Sequence, residues 1–397
     1  MSANRGQRAD QIIRAATELF TASGYRNVSI EQIGAAVGLT GPAVYRHFDD
    51  KHDILVQALR SQVDLVGRLH AEAETLGRTP EEALGLFLGG LGDLTANHDV
   101  AILWRREQQH LHPEQFAEML GHFVAYSDYI ADKIAVLRPE LSHDDARFLG
   151  FAVLSVYSNT TGTRGRMTPA RLMQIQRAVA RSVIGCALPE ADSARIDDTS
   201  RPGHARRPAG RRERILDAAS NLFAQRGFHD VRIDDIAHAA GISVATFYHL
   251  VPGKTEILEA ILVRGLEGAL YTFTDALARS APGEELDTLV DCHVRQVLGV
   301  HGRLVPIYSR DIVYLPADVQ ELLATGQREI MDEWVAALRG RVPSLSKDDA
   351  DALANLYVGV VGDVIGAPDL RARPHIAADL IALANAILLP DELIHRR

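Results

Sequence analysis

The sequence is poor in cysteine and has no long apolar run, and each absence excludes a class of protein. Two cysteines, Cys186 and Cys292, are too few for a disulfide framework or a cysteine-based zinc site in a chain of 397 residues. No stretch approaches the roughly 18 consecutive apolar residues of a membrane-spanning helix. The first residues also lack the apolar run of a signal peptide. We therefore expect a cytoplasmic protein with no membrane partner.

Signatures of enzymes are also missing. The sequence has no nucleophile elbow, no phosphate-binding loop and no paired-carboxylate signature, so an enzyme is the least supported class. His110 and His112, with His122 nearby, suggest metal ligands. However, no carboxylate or cysteine stands at the spacing that would complete a site. We expect no catalytic residue, no cofactor and no metal.

The most informative feature present is a long internal repeat. Residues 8–55 and 211–258 are the same segment at a constant offset of 203, with shared residues that include Phe20 and Phe223, Gly24 and Gly227, and Tyr45 and Tyr248. A later echo, residues 139–146 against 343–350, runs at an offset of 204. A repeat of this length predicts two protomers joined head to tail, rather than a solenoid of short units.

Within the repeated segment, the apolar spacing predicts three helices. Apolar residues between 12 and 20 recur at i, i+3, i+4 and i+7, and Gly24 closes this first helix. Ser29 is the expected N-cap of a short second helix that ends at Gly38. Thr40 is the expected N-cap of a third helix with Pro42 in its first turn. Two helices joined by a glycine-containing turn form a helix-turn-helix.

Residues 29–51, with the sequence SIEQIGAAVGLTGPAVYRHFDDK, resemble the N-terminal signature of the TetR family of bacterial repressors, and residues 232–254 resemble it again. The second copy departs at Val251, where an aromatic residue such as Phe48 is usual, so weaker packing is expected there. The resemblance implies an all-α fold of two tandem TetR-type protomers. Each protomer would combine a helix-turn-helix DNA-binding domain with a helical ligand-binding and dimerisation domain.

The repeat predicts five segments. They are a first DNA-binding domain (1–60), a first helical effector and dimerisation domain (61–188), a linker (189–210), a second DNA-binding domain (211–263) and a second helical domain (264–397). The linker has no periodic apolar face and would span about 25 Å as a flexible chain. Its arginines near 206–212 would either touch DNA or remain solvated, and both readings are open.

The family resemblance implies which side chains contact DNA. Tyr45 would donate to a phosphate, Lys51 would hold the module against the DNA backbone, and the start of the third helix would face base edges. The alternatives are a core aromatic at Tyr45 and a solvated lysine at Lys51, but both residues recur in the second copy. The predicted DNA-binding residues are Thr40, Gly41, Pro42, Ala43, Tyr45, Arg46, His47 and Lys51, and Ser243, Val244, Thr246, Tyr248, His249 and Lys254.

The net charge of −10 permits DNA binding because the acidic residues lie mainly outside the repeated modules. Residues 1–60 hold 7 Lys and Arg against 6 Asp and Glu, and residues 201–264 hold 10 against 7. The rest of the chain therefore sums to −14. Local charge rather than the chain total governs attraction to phosphates.

Two related stretches in the helical domains are candidate walls of a ligand pocket. Each combines an aromatic residue, a basic and acidic pair and a turn that ends in proline, and the candidate ligand-binding residues are Trp104, Arg105, Tyr308 and Arg310. The resemblance suggests a small apolar effector of the acyl or sterol type. The alternative is an internal arginine–carboxylate pair, such as Arg106 with Glu107, that holds a helix end.

These observations predict a sequence-specific DNA-binding transcriptional regulator, in particular a ligand-responsive repressor, with lipid or sterol genes as candidate targets and a double-stranded operator as partner. The alternative is a ligand-sensing regulator in which only the first module binds DNA. For assembly, we expect an intramolecular pseudo-dimer in which helices near 146–184 pack against helices near 350–388. A homodimer of like halves is the competitor.

Overall fold

The computed structural model describes residues 2–98, 101–160, 162–163, 165–189 and 208–394. Over these ranges the chain is helical and contains no β-strand, which confirms the predicted all-α fold. Most of the predicted linker, residues 190–207, lies outside the described residues. The chain divides into two compact units, Met1–Gly150 and Phe151–Arg397.

The first unit contains seven complete helices and the beginning of an eighth. Two short 3₁₀ helices, Tyr25–Asn27 and Gln108–His110, lie between them. The helices are α1 (Ser2–Ser23), α2 (Ile30–Ala36), α3 (Gly41–Val44), α4 (Lys51–Leu76), α5 (Pro80–Asn97), α6 (Ile102–Glu107) and α7 (Pro113–Leu137), and α8 (His143–Ser158) begins here and ends in the second unit.

The second unit contains the remaining helices of the described chain. Two 3₁₀ helices, Val300–Arg303 and Ile312–Tyr314, flank α15. The α-helices are α9 (Pro169–Ile184), α10 (Arg211–Arg226), α11 (Ile233–Ala240), α12 (Val244–Leu250), α13 (Lys254–Arg279), α14 (Glu285–Leu298), α15 (Leu304–Asp311), α16 (Ala317–Arg341), α17 (Lys347–Gly366), α18 (Pro368–Arg371), α19 (Ile376–Leu388) and α20 (Asp391–Ile394).

Each repeated segment forms a small helical module around its own apolar core. In the first unit, the inward faces of α1 to α4 meet around Phe20, Ile33 and Leu55, all fully buried. In the second unit, α10 to α13 meet in the same way around Phe223, Ile236 and Leu258. Most of the apolar residues that the two copies share are therefore buried in these cores, where close packing constrains their size.

The second unit also contains the end of α8 and the whole of α9, which belong to the first half of the sequence. Helix α9 packs against α19, α17 and α20, and its buried face includes Leu172, Ile175 and Val179. Arg171 of α9 forms a bidentate pair with Asp349 of α17 at 2.8 and 2.6 Å. Because of this packing the compact units divide at residue 150 rather than between the halves at 188 and 189. The five predicted segments remain a prediction.

Among the described residues, no helix is both long and apolar enough to cross a membrane.

Candidate nucleic-acid interface

The first module begins with local signals that the structure confirms. Gly24 follows α1 with φ 82°, and Gly38 follows α2 with φ 68°, a left-handed conformation that costs glycine little. Ser29 is the N-cap of α2, where its Oγ accepts from the backbone N–H of Gln32 at 3.2 Å. The Gln32 side chain accepts in turn from the backbone N–H of Ser29 at 2.7 Å, which completes a capping box.

The third helix of each module, α3 in the first and α12 in the second, is the recognition helix of the predicted helix-turn-helix. These two helices differ in length and in capping. Helix α3 has four residues, and Thr40 occupies its N-cap position without a side-chain cap bond. Helix α12 has seven residues, and Ser243 Oγ accepts from the backbone N–H of Thr246 at 3.1 Å. The predicted helix start at Thr40 is therefore confirmed by position, whereas the side-chain cap is found only in the second module.

The expected weakness at Val251 is not present, because the second module places its aromatic residue one turn earlier. At the offset of 203, Val44 and Phe48 of the first module correspond to Phe247 and Val251 of the second. All four side chains are buried in their modules. The aromatic and the aliphatic residue have exchanged places at i and i+4, so the core volume is conserved.

Tyr45 and Tyr248 occupy matching exposed positions. Their exposed fractions are 54% and 55%, which rules out the alternative that Tyr45 is a core aromatic. Tyr45 is the C-cap residue directly after α3, and Tyr248 lies within α12, so both exposed side chains are at the predicted DNA-binding surface of their module. A phosphate contact by these tyrosines remains a prediction.

The other predicted DNA-contacting residues mostly surround these tyrosines. Gly41 is the exception: it is buried, and a Cβ built on it would lie 3.3 Å from Oε1 of Glu31, so its role is close packing of α3 on α2. Ala43, His47 and Thr246 are half-buried. The exposed residues are Thr40, Pro42 and Arg46 in the first module and Ser243, Val244 and His249 in the second.

Lys51 and Lys254 have a structural task that the sequence interpretation did not anticipate. Nζ of Lys51 donates to the backbone carbonyls of Tyr25 and Val28 at 2.9 and 2.8 Å. Nζ of Lys254 donates to three carbonyls, those of Phe228 (2.6 Å), His229 (3.2 Å) and Val231 (2.8 Å).

Each ammonium group also lies over an aromatic ring, 4.5 Å from the Tyr25 centroid and 4.4 Å from that of Phe228. Burial, and secondarily the charge of Arg26, lowers the pKa of Lys51. Since an ammonium has three N–H donors, these contacts compete with a phosphate for the lysine. A phosphate contact by Lys51 or Lys254 remains a prediction that this geometry disfavours.

A repeated arginine–carboxylate pair joins each module to the helix behind it. In the first unit, Oε1 of Glu107 accepts from the backbone N–H of Tyr25 at 3.2 Å, and Nη1 of Arg106 donates to the carbonyl of Thr21. In the second unit, Oδ2 of Asp311 accepts from the backbone N–H of Phe228, also at 3.2 Å. We call each pair, Arg106 with Glu107 and Arg310 with Asp311, a clasp.

The second clasp is closed by a direct ion pair. Nε and Nη2 of Arg310 donate to the two carboxylate oxygens of Asp311 at 3.0 Å each, and Nη2 also donates to the carbonyl of Phe223. Glu107 and Asp311 are both buried. Burial raises the pKa of each carboxyl, while hydrogen bonds to the charged form and the neighbouring arginines oppose the rise.

Nε and Nη2 of Arg310 donate to Asp311 and Phe223, which disfavours the predicted ligand-binding role of this residue, and that role remains a prediction. The ring of Trp104 stacks on that of Phe116, with 5.6 Å between the ring centroids, and lies 4.9 Å from the ring centroid of Phe123. Tyr308 packs against the core of the second module, and burial raises its pKa. A ligand role for Trp104, Arg105 and Tyr308 remains a prediction.

Asp311 was not among the residues singled out from the sequence, and Glu107 was considered only as part of an internal pair. The signal was present, because Arg106 and Glu107 align with Arg310 and Asp311 at the offset of 204. The contacts of Arg106 with Thr21 and of Glu107 with Tyr25, at the end of α1, fit the alternative that these residues hold a helix end. Within the described ranges, no three His, Cys, Asp or Glu side chains group closely enough to hold a metal ion.

Comparison with known proteins agrees with the repeat. The family described as "Bacterial regulatory proteins, tetR family" matches residues 12–58 and again residues 215–261. The HTH-type transcriptional repressor KstR2 of Rhodococcus jostii is 29% identical over 136 residues, which are 34% of this chain and 66% of that protein. KstR2 of Mycolicibacterium smegmatis is 28% identical over 140 residues, 35% of this chain and 68% of that protein.

Among solved structures, the ketosteroid transcriptional regulator KstR2 of Mycobacterium tuberculosis aligns with a TM-score of 0.40 and 22% identity. The alignment covers 46% of this chain and 94% of that protein. Each likeness spans one half of the present chain or less, whereas the family match occurs in both halves at the repeated segment. The match of the tetR family model to one segment in each half, together with these relatives, supports a double TetR-type regulator with two modules in one chain.

Proposed function

We propose that this chain is a transcriptional repressor that binds one operator with both of its modules. The observation that carries the proposal is the matched exposure of Tyr45 and Tyr248 at equivalent positions of two intact helix-turn-helix modules. Exposed tyrosine hydroxyls within or directly after a recognition helix are suited to donate to DNA phosphates. The module cores are complete in both halves, so neither shows the loss of structure that the single-module alternative would favour.

The two modules would read different half-sites. Around Tyr45 the first module exposes Pro42 and Arg46, whereas the second exposes Val244 and His249 around Tyr248. Arginine recognises guanine in the major groove more readily than histidine does, and valine offers an apolar contact to a thymine methyl group. An operator with unlike half-sites is therefore expected.

A single chain would supply both modules of the DNA-binding unit. Ordinary dimeric regulators pair two copies of one chain about a two-fold axis, and their operators are palindromic. Here, α9 from the first half packs against α17 and α19 from the second half within one compact unit. This packing supports the intramolecular pseudo-dimer over the homodimer of like halves.

The clasps are suited to transmit an effector signal to the modules. A small apolar effector with one polar or anionic end, bound near Trp104 or Tyr308, would shift α6 or α15 and thereby the clasp residues. A ligand releases a repressor only by binding the released conformation more tightly, with a coupling of typically 1–3 kcal/mol. Ligand titration of the wild type and of Trp104→Ala tests this part. Lipid or sterol genes are the candidate targets: two of the matched relatives are KstR2 repressors, and KstR2 of Mycobacterium tuberculosis is named a ketosteroid transcriptional regulator.

Gel shifts and footprinting on the DNA upstream of the gene, combined with light scattering, test the main proposal. We expect a mass near 43.4 kDa for the free protein and one asymmetric footprint that covers two half-sites. A mass near twice that value with a palindromic footprint would overturn the single-chain unit. A footprint confined to one half-site, and lost only when the first module is altered, would favour the single-module alternative.

A further inference from the structure

Two residues at equivalent positions of the halves meet in the second unit. Nδ2 of Asn159, which follows α8, donates to Oδ2 of Asp363 on α17 at 2.8 Å. The hydroxyl of Ser155 donates to the same carboxylate oxygen. Nδ2 of Asn159 also lies 3.0 Å from Oγ of Ser155 and 2.9 Å from its carbonyl oxygen, which fixes the position of the amide.

The equivalence of these positions follows from the offset of 204. At this offset Ala152, Val156 and Thr160 align with Leu356, Val360 and Val364, and all six are buried. Asn159 then corresponds to Asp363, and Ser155 corresponds to Gly359. Asp363 contacts Ser155 and Asn159, while Asn159 contacts Asp363 and Gly359. Such reciprocal contacts are those of a two-fold axis with unlike residues on its two sides.

The glycine leaves room for only one kind of partner. A Cβ built on Gly359 would lie 2.3 Å from Oδ1 and 2.4 Å from Cγ of Asn159, far inside any real contact. If two first halves paired with each other, Ser155 would take the place of Gly359 opposite Asn159. Its Cβ would overlap an amide that hydrogen bonds hold in place, and the overlap would occur twice by symmetry.

The carboxylate rejects the other like pair. If two second halves paired, Asp363 would face a second Asp363, and the donors from Ser155 and Asn159 would be replaced by Gly359. Two carboxylates at hydrogen-bond distance repel each other unless a proton is shared. Each would also lose its donors at a partly buried site, which adds a desolvation cost.

The neighbouring ion pairs provide cohesion and, in one case, further selection. Arg171 with Asp349 would survive in a pair of first halves, because Asp349 has Asp145 as its counterpart. Nη1 of Arg166 donates to Oδ2 of Asp351 at 2.9 Å, and the counterpart of Asp351 is Arg147. Two first halves would therefore bring arginines together there. This exposed pair contributes little by itself.

We propose that Ser155, Asn159, Gly359 and Asp363 form a selective lock that admits only an unlike half as the pairing partner. The inference rests on the proposed function, in which the two halves pair within one chain. It extends that function by naming the residues that exclude a like half, which only another chain could supply. Proteins commonly use steric clashes and unpaired charges to reject wrong partners.

The test recreates each like pair in the intact chain. Asn159→Asp places two carboxylates opposite each other, and Gly359→Ser places a serine opposite Asn159. We expect each to lower the Tm of the full-length protein at pH 7.5 by roughly 5 °C, which corresponds to a cost of one to two kcal/mol in a domain of this size. The loss in Asn159→Asp is expected to shrink at pH 4.5, where the carboxylates share a proton, whereas general misfolding would not show this recovery.

Rescue variants separate the lock from ordinary damage. A double variant that combines Asn159→Asp with Asp363→Asn exchanges the two side chains and is expected to regain most of the lost Tm. A second double variant, Gly359→Ser with Asn159→Ala, is expected to regain the Tm that Gly359→Ser loses alone. Gly340→Ser is the matched control, since Gly340 is also helical but a Cβ there meets nothing within 4 Å. Unchanged Tm in both single variants, or no rescue by either second substitution, would overturn the lock.

The lock and the single-chain unit can fail separately, because they are tested by different measurements. A wild-type mass near 43.4 kDa with no loss in the variants would overturn the lock and leave the single-chain unit intact. A wild-type mass near twice that value with the expected losses and rescues would mean that two chains exchange unlike halves. In that case the lock would stand and the single-chain unit would fail.

Discussion

Oδ2 of Asp311 accepts a 3.2 Å hydrogen bond from the backbone N–H of Phe228, which ties α15 to the turn that follows the first helix of the second module. The same bond, at the same length, links Glu107 to Tyr25 in the first unit. A bond that has persisted in both copies, between a buried carboxylate and a backbone donor, points to a shared mechanical connection. Through this hydrogen bond, a movement of the helical domain would reach the DNA-binding module.

Removal of the second clasp carboxylate is expected to destabilise the protein strongly. Asp311→Ala leaves the N–H of Phe228 and the guanidinium of Arg310 without their partner, at a cost of about 3 kcal/mol. Asp311→Asn keeps an acceptor and is expected to cost less. Urea unfolding measures both. Glu321→Gln serves as a control, because its pair with Arg328 is exposed to solvent and contributes little to stability. Equal effects of the alanine and the control would contradict a structural clasp.

The two module lysines are expected to act on stability rather than on the number of phosphate contacts. Lys254→Met leaves three backbone carbonyls without their donor, so we expect a loss of about 1–3 kcal/mol in the free energy of unfolding. The slope of log affinity against log salt is expected to stay unchanged, whereas a lost phosphate contact would reduce it by about 0.9. Salt titrations of DNA binding by Lys51→Met and Lys254→Met decide between the two roles.

The exposed tyrosines are expected to show the opposite behaviour. Tyr45→Phe and Tyr248→Phe remove one exposed hydroxyl each and should leave the Tm nearly unchanged. Each is expected to weaken binding by about 1 kcal/mol on all operator sequences, since phosphate contacts position the protein without reading bases. Gel shifts on the operator and on scrambled DNA provide the measurement. If only Tyr45→Phe has an effect, the second module does not bind.

The exchanged core residues predict a rescue. Phe247→Val leaves a cavity in the second module, and Val251→Phe overfills it, so each is expected to cost about 1–3 kcal/mol. The double variant restores the arrangement of Val44 and Phe48 in the first module and is expected to cost less than about 1.5 kcal/mol. Thermal unfolding of the three variants tests this. Additive losses would show that the two cores are not interchangeable.

His293 is expected to make the second unit sensitive to mild acid. It packs against Trp334 and Tyr357, with Nδ1 at 3.2 Å from the Tyr357 hydroxyl, and burial lowers its pKa from 6.5 to about 4. Because the depressed pKa means that the unfolded chain binds the proton more tightly, stability is complete above pH 6.5 and falls as the pH drops towards 4.

The expected loss from this histidine is as much as about 2 kcal/mol between pH 7 and pH 5. Urea unfolding of the wild type and of His293→Gln at both pH values isolates the contribution, since glutamine does not titrate. Tyr357→Phe, which removes the hydrogen bond but keeps the imidazole, should retain the pH dependence. An identical pH dependence in the wild type and in His293→Gln would exclude this histidine as the source.

The local elements of the modules could be predicted from the sequence because their signals are local. The caps and helix ends at Gly24, Ser29 and Gly38 depend on the conformations that glycine tolerates and on the reach of a serine hydroxyl. The repeat predicted the second module by comparison with the first. The exposure of Tyr45 was anticipated for the same reason, since Tyr248 survives in a copy whose neighbouring residues have changed.

The partners of side chains that act over long sequence distances were decided only by the tertiary structure. Lys51 and Lys254 sit at the start of a helix, where the sequence allows a phosphate contact, but the turn before α2 or α11 folds back and supplies carbonyls to the ammonium group. The sequence allows a ligand-binding role for Arg310, yet its Nε and Nη2 donate to Asp311 and to the carbonyl of Phe223, 87 residues away near the end of α10. Periodicity contains no information about which distant backbone atom a long side chain reaches.

By itself the sequence determined that this protein is a helical chain of two related modules, because apolar spacing and a constant offset are properties of the primary structure. Only the tertiary structure decided how the unlike residues are used. Phe247 fills the space in the second module that Phe48 fills in the first, although it stands one turn earlier in the helix. Asp363 meets Asn159 because the fold brings positions 204 residues apart into contact. From the sequence alone, the differences between the two copies look like random divergence. Packing and hydrogen bonding in the folded protein make the differing residues complementary to each other.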